Sequence, residues 1–178
     1  MLQHLITHDD DLRMVPANRE HLAAAAEELR GDLRNRVRWI GIGLLSLGSY
    51  GEACAFLRQA LDLAEASGNV RSVIATELNL GDAHRYAGET ETAGMLYRDA
   101  LDAARAGHPD LVDFALQHVG KHLMEQGDLV GARTHLREAL QLRIAKGDAD
   151  LVESTEAALD RVELLKLTDG EAADIGES

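Results

Sequence analysis

Proline and aromatic residues are scarce in this sequence. It contains two prolines, and aromatic side chains make up only 3% of its 178 residues, whereas 46% are hydrophobic. Proline disfavours helix interiors, so its scarcity permits long helices, and aliphatic residues must supply the buried surface. The composition therefore predicts one soluble, mostly helical domain with a core rich in alanine and leucine.

Positive charge is also scarce. Lysine and arginine number 18 against 31 aspartates and glutamates, which gives a net charge of −13. Nucleic acids and anionic membranes are bound by surfaces of the opposite sign, so both are excluded as expected partners. The sequence has no apolar run of 18 residues, and no membrane span is predicted.

Cysteine occurs once, at Cys54, and this excludes an internal disulfide framework. The first residues, MLQHLITHDDD, have neither the cationic region nor the apolar run of a signal peptide. We therefore expect a cytoplasmic protein.

The sequence does contain an internal repeat. GSYGEACAFLRQAL begins at Gly48, GETETAGMLYRDAL at Gly88 and GDLVGARTHLREAL at Gly127, so the copies are separated by 40 (88 − 48) and 39 (127 − 88) residues. A fixed period of this size indicates an array of small units, each of which buries its apolar face against its neighbours.

Glycines divide each repeat into two helices. Gly68, Gly88, Gly107, Gly127 and Gly147 are predicted to end helices, because glycine adopts the left-handed conformation at low cost. Residues that cap the next helix follow these turns. We expect a capping box formed by Ser49 and Glu52, and N-caps at Asn69, Asp128 and Asp148.

Small residues recur at three fixed places in every repeat. Gly41, Gly81 and Gly120 each precede a pair of alanines on the following helix, as listed here: Ala53 and Ala60, Ala93 and Ala100, Ala132 and Ala139. This pattern resembles the tetratricopeptide repeat, a helix-turn-helix unit of about 34 residues. The longer period is similar to that of the long-helix variety found in kinesin light chains and many bacterial regulators. The resemblance implies an all-α fold, in which antiparallel helix-turn-helix repeats stack into a right-handed α-solenoid.

The expected boundaries follow from these repeats. Residues 1–14 form a flexible segment, and a single repeat domain covers 15–167. It comprises a capping helix at about 15–30, repeats at about 32–67, 69–106 and 108–146, and a second capping helix at about 149–166, before an acidic disordered tail at 168–178. His4, His8 and Asp9 to Asp11 suggest a metal site as the alternative to a flexible terminus.

The resemblance implies a non-catalytic module that binds a peptide or protein along a concave wall built from the first helix of each repeat. Helical phase places the following side chains on that wall: Asn35, Arg38, Ile42, Asn79, Asp82, Arg85, Tyr86, Gln117, His118, Lys121, Glu125 and Arg161. The wall contains a large share of the cations of an acidic protein. An acidic or carboxylate-bearing partner is therefore expected.

Asn79 is the most specific residue of this set. The resemblance implies that an asparagine at this place grips a peptide backbone, since its amide both donates and accepts hydrogen bonds. The alternative is that Asn79 only faces solvent on the wall. Ile42, Phe114 and His118 occupy places where the chaperone-binding subgroup needs lysine or asparagine, so a chaperone clamp is excluded.

A second class of function is left open by two histidines. His118, His122 and Glu125 share one side of a helix, as the ligands of helical zinc sites do, but Lys121 opposes a bound cation. We predict no metal, cofactor or catalytic residue, with a small-molecule sensor or metal-dependent enzyme as the alternative. Apolar residues near the end, such as Leu164 and Leu165, leave a homodimer open.

Overall fold

A computed structural model describes residues 6–9, 13–30 and 33–175, with the side chains of 25–36 and 169–175 outside the description. The chain divides into two compact units, Met1–His108 and Pro109–Ser178. Asn35 belongs to the undescribed side chains, and His4, Asp10 and Asp11 lie outside the described residues.

The first unit contains a short hairpin and five helices in its described part. Its elements are β1 (Ile6–His8), β2 (Met14–Pro16), α1 (Arg19–Arg30), α2 (Leu33–Ser46), α3 (Tyr50–Ala66), α4 (Val70–Tyr86) and α5 (Thr90–Gly107). Each helix packs against the next along the chain. The second unit has a 3-10 turn at Pro109–Leu111, then α6 (Val112–Glu125), α7 (Leu129–Lys146) and α8 (Ala149–Ile175), which also pack in sequence. The all-α class and the helix-turn-helix repeats are thereby confirmed.

Glycines end most of these helices as expected. Gly48, Gly68, Gly88, Gly127 and Gly147 all have positive φ, between 67° and 84°. Gly107 also ends its helix, as the last residue of α5, but it does not adopt the left-handed conformation. The chain leaves the helix there through His108, at φ −133°.

Three of the four predicted caps form. Asn69 accepts a hydrogen bond from Ser72 N at 3.0 Å and Asp128 from Gly131 N at 2.9 Å. Asp148 accepts from Leu151 N at 3.2 Å. The capping box at Ser49 is wrong, because the Ser49 side chain makes no cap hydrogen bond although it precedes α3.

The helices of each repeat cross closely at a glycine. A Cβ atom added to Gly41 would lie 2.6 Å from Leu57 Cγ, and one added to Gly120 would lie 2.6 Å from Leu136 Cγ. Gly81 accommodates the larger ring of Tyr97, at 2.4 Å. Each glycine therefore provides the space for one large side chain of the second helix of its repeat, between the two small residues that the sequence indicated.

The N-terminal segment is structured where it is described. β1 and β2 pair in antiparallel fashion, with Ile6 opposite Pro16, and Ile6 and Met14 pack on the core. The backbone N of Met14 donates to the hydroxyl of Tyr86 at 2.9 Å. The described part of the segment expected to be flexible therefore forms a hairpin that packs on the core, and α1 begins at Arg19 rather than at about residue 15.

A buried cation, Arg143 on α7, links the last helix to the other two helices of the second unit. Arg143 donates from Nε to Asp113 Oδ2 at 3.1 Å and from Nη1 to Thr155 Oγ1 at 2.7 Å. Lys146 also pairs with Asp113. Beyond this anchor α8 continues to Ile175, so the tail expected to be disordered from residue 168 is helical over most of its length.

Candidate functional site

Arg38 and Asn79 meet on neighbouring helices of the first unit. Nε of Arg38, on α2, donates to Oδ1 of Asn79, on α4, at 2.8 Å, and both side chains are half-buried. The guanidinium carbon lies 5.7 Å from the centre of the Trp39 ring. Among the described residues, no carboxylate pairs with Arg38. The neutral amide of Asn79 therefore positions the Arg38 guanidinium, and no described carboxylate balances its charge.

Burial lowers the pKa of Arg38 below its usual value. The cause is desolvation, since the surroundings remove water that would otherwise stabilise the charged guanidinium. An arginine remains charged even so, because its pKa starts far above neutrality. A ligand that brings a negative charge would recover part of the lost hydration energy.

An open pocket of about 490 Å³ adjoins this pair. It lies among α2, α3 and α4, and apolar and hydroxyl side chains both line it: Val37, Arg38, Trp39, Ala60, Leu63, Ala64, Ser67, Ser72 and Thr76. Leu63 is 49% exposed and therefore offers apolar surface to a ligand. The pocket combines one cation with a surface suited to an apolar group.

Two of the lining hydroxyls are occupied as donors. Ser67 Oγ donates to the carbonyl of Ala64 at 2.8 Å, and Thr76 Oγ1 donates to that of Ser72 at 2.7 Å. A hydroxyl that has given its one proton can only accept further hydrogen bonds. The guanidinium of Arg38 is the charged donor among the lining side chains, which favours an acceptor-rich ligand.

Three residues predicted to line the wall belong to the core instead. Ile42 is 5% exposed, Asp82 2% and Arg85 5%. Arg85 Nη2 donates to Asp82 Oδ1 at 3.1 Å, and the Tyr97 hydroxyl donates to the same oxygen at 2.6 Å. The prediction fails for Asp82 and Arg85 because they satisfy each other inside the repeat, where burial raises the pKa of Tyr97 well above its usual value.

Tyr86 is covered by the N-terminal hairpin. Its ring makes an edge-to-face contact with Tyr50, at 5.9 Å between centroids, and its hydroxyl receives the Met14 hydrogen bond. The Arg13 guanidinium lies 5.7 Å from the same ring. Tyr86 is half-buried by these contacts, so the hairpin limits access to this part of the predicted wall.

In the second unit the predicted residues also differ in exposure. Gln117 and Lys121 are only 4% and 7% exposed, which contradicts their expected place on an open wall. Gln117 Nε2 donates to the Ser154 carbonyl, at 3.4 Å, and so faces α8. His118 and Arg161 are half-buried and Glu125 is exposed, so these three remain accessible in this unit.

The histidines were the other candidates for chemistry. Within 6–9, 13–30 and 33–175, no three side chains of His, Cys, Asp or Glu are placed to hold a metal ion, and His118, His122 and Glu125 form no such group. His84 pairs with Glu89 through Nδ1 at 2.6 Å. None of the helices in the described part of the chain has the length and hydropathy required to cross a bilayer.

Sequence reasoning missed Trp39. Helical phase grouped Arg38 with Ile42, four residues later, whereas the accessible face at Arg38 turns towards Trp39 and the end of α3. Trp39 is the one tryptophan of the chain, and its position beside a wall arginine was the available signal. The lining residues from α3 had no such signal, because they belong to the helix assigned to the outside.

The fold first defines a class, that of helical-repeat proteins built from pairs of antiparallel helices. Comparison with known families then shows which repeat family part of the chain resembles. The family model of the tetratricopeptide repeat matches residues 32–106, so this part of the chain is similar to that family. Repeats of this family generally mediate protein–protein interaction and are typically non-catalytic. No curated protein matches the chain.

Proposed function

We propose that this protein is a non-catalytic interaction module that binds an acidic peptide or protein segment at the pocket of Arg38 and Trp39. The observation that carries the proposal is the half-buried Arg38, which is held by the neutral amide of Asn79 and has no carboxylate partner among the described residues. A side-chain or main-chain oxyanion of the partner supplies the missing charge.

The pocket also determines what should accompany the carboxylate. Trp39, Leu63 and Val37 offer apolar surface next to the cation. A segment that places an aliphatic or aromatic side chain beside an aspartate or glutamate uses both features at once. A uniformly acidic segment would be repelled by the net charge of −13, so we expect a few carboxylates around an apolar anchor.

Trp39 provides an intrinsic reporter for testing this proposal, because no other tryptophan contributes to the emission. Synthetic peptides with Leu or Phe flanked by Asp or Glu are titrated against the protein while its fluorescence is followed. Peptides in which Lys replaces the acidic residues serve as the charge-reversed set. We expect saturable changes with the acidic set, and a loss of affinity of at least about tenfold for Arg38→Glu, because a close opposite charge becomes a like charge.

The matched control is Arg98→Glu, which makes the same charge change at an exposed position on α5. Circular dichroism establishes that both variants are folded. Equal weakening by the two variants would show that general electrostatics, rather than this pocket, determines binding. Binding of the lysine peptides at the same affinity would contradict the acidic preference.

We also predict further partner-contacting residues, the cellular location and the repeat type. Within the second unit, the accessible residues His118, Glu125 and Arg161 are the candidates for contact with a partner. The chain acts in the cytoplasm, and its repeats are of the long-helix variety seen in kinesin light chains.

A further inference from the structure

A second pocket, of about 270 Å³, lies beneath the N-terminal hairpin in the first unit. The hairpin, the start of α1 and the turn between α2 and α3 enclose it, and its lining comprises Asp9, Arg13, Met14, Val15, Pro16, Arg19, Leu45, Ser46, Gly48, Tyr50 and Tyr86. None of these residues lines the pocket of Arg38. The two pockets are therefore separate features of the same unit.

Two guanidinium groups face this second pocket. Arg19 is anchored by one hydrogen bond, from Nη1 to the carbonyl of Leu47 at 3.3 Å, and Arg13 lies against the Tyr86 ring. Among the described residues, neither arginine forms an ion pair with a carboxylate. Each guanidinium has five N–H donors, so most of the donors of both arginines are available to a ligand.

The carboxylate that lines the pocket, Asp9, is engaged with the backbone. Its Oδ1 accepts a hydrogen bond from the main-chain N of Arg13 at 3.0 Å, within the turn that joins the two strands. Asp9 therefore shapes the hairpin, and the two arginines leave the described lining of the pocket with one net positive charge. Tyr50 adds a phenol that can donate to an oxyanion.

We propose that this pocket binds a phosphate group, either as the free ion or as a small phosphate monoester. Two guanidiniums match a tetrahedral dianion, because each donates in a forked geometry to two oxygen atoms. A carboxylate presents two oxygens and one charge, and would leave one arginine without a partner. The bound group would join the hairpin, through Arg13, to α1, through Arg19.

The test is a titration with inorganic phosphate, followed by the ¹H–¹⁵N NMR signals of the pocket amides Met14 and Gly48. Chloride at matched ionic strength is the reference, and acetate and phenyl phosphate are titrated in parallel. We expect saturable shifts with phosphate and phenyl phosphate, at an affinity clearly above that of acetate. Binding should weaken at least about tenfold in Arg13→Gln/Arg19→Gln.

Arg98→Gln is the control, since it removes one positive charge at an exposed site elsewhere. Arg19→Gln alone guards against detachment of the hairpin, because Arg19 lies outside it, and about threefold weakening is expected there. Phosphate shifts no larger than those with chloride, or equal weakening by Arg98→Gln, overturn the proposal. Equal affinity for acetate overturns the assignment to phosphate.

Discussion

Glu77 is an acidic residue at a repeat position that holds a buried apolar residue in the other two repeats. It corresponds to Val37 in the preceding repeat (77 − 40) and to Leu116 in the following one (77 + 39), both of which are buried. Burial raises the pKa of Glu77 to about 7, and the nearby charges of Asp99 and Glu65 add to this effect. The carboxyl therefore takes part in proton binding near neutrality.

The raised pKa makes stability depend on pH. The pKa of Glu77 is higher in the folded chain than its ordinary value of 4.5, so the folded state binds more protons between these values. Its stabilising contribution is complete below about pH 4.5 and is lost as the pH rises through 7. We expect Glu77→Gln to increase the free energy of unfolding by about 1 kcal/mol at pH 8, after allowance for solvent screening of a half-exposed group, and to have little effect at pH 4.5.

Urea denaturation of both proteins at the two pH values measures this difference. Glu91→Gln removes the same charge from an exposed position on α5, and so distinguishes the local effect from the change in net charge. A Glu77→Gln protein less stable than the wild type at pH 8 would contradict the prediction.

Residue-scale errors of the sequence analysis share one physical origin. Helical phase assigned Asp82, Arg85 and Lys121 to an open wall, since polar side chains usually face water. The structure buries all three. Asp82 and Arg85 pair with each other along α4, and the hydroxyl of Tyr97, from the other helix of the repeat, completes this buried group. A pattern along one helix contains no information about a partner on the next.

At the scale of the element, the decisive contact is a glycine of one helix facing a large side chain of the other. Gly120 faces Leu136, as Gly41 faces Leu57 and Gly81 faces Tyr97. Any side chain at these glycines must displace its neighbour. The contact therefore sets the distance between the helices of each repeat.

Replacing Gly120 by alanine tests this contact. The new Cβ would lie 2.6 Å from Leu136 Cγ and 2.9 Å from Leu136 Cδ2, so the helices must separate or the leucine must change rotamer. We expect Gly120→Ala to destabilise the protein by about 1–3 kcal/mol, measured by chemical denaturation, despite the better helix propensity of alanine.

Gly51→Ala is the matched control within α3. Nothing lies within 4 Å of a Cβ added there, and Gly51 is in the first turn of α3, so alanine should stabilise the protein slightly, by up to about 0.5 kcal/mol. Effects of the same sign for the two substitutions would show that propensity, rather than packing, determines the result.

Helix ends that are marked by nearby residues in the sequence were predicted well. Elements that depend on contacts with distant parts of the chain were not. The turn glycines and the caps at Asn69 and Asp128 are encoded within a few residues of the helix ends that they define. The hairpin consists of two three-residue strands, which are too short to show a strand period and are held by tertiary contacts such as that of Met14 with Tyr86. In the same way, Trp39 became a candidate site residue only when α3 was placed beside it.

On the scale of the whole molecule, the excess of negative charge is the dominant electrostatic feature. A net charge of −13 over 178 residues makes the folded chain repel itself at neutral pH. Dissolved salt screens this repulsion, because the Debye length falls from about 20 Å at 20 mM to about 4 Å at 500 mM.

We expect the Tm at pH 7.5 to rise by a few degrees, about 2–4 °C, between 20 and 500 mM NaCl. The gain should disappear near pH 4.9, where the net charge of the sequence is close to zero. Differential scanning calorimetry measures both values. A Tm that falls with salt at pH 7.5 would indicate that attractive ion pairs, such as that of Arg143 with Asp113, dominate over the repulsion.

The buried group of Asp82, Arg85 and Tyr97 has a consequence for how such a chain can evolve. The corresponding positions of the preceding repeat (each minus 40) and of the following repeat (each plus 39) hold different sets: Ile42, Leu45 and Leu57, and Lys121, Met124 and Leu136. A genetic crossover between the two helices of a repeat would combine half of one set with half of another. Such a recombinant would leave Asp82 and Arg85 without the Tyr97 hydroxyl, or would bury that hydroxyl without Asp82. Whole repeats exchanged at the turns between repeats are therefore the units in which this gene can be lengthened, shortened or shuffled.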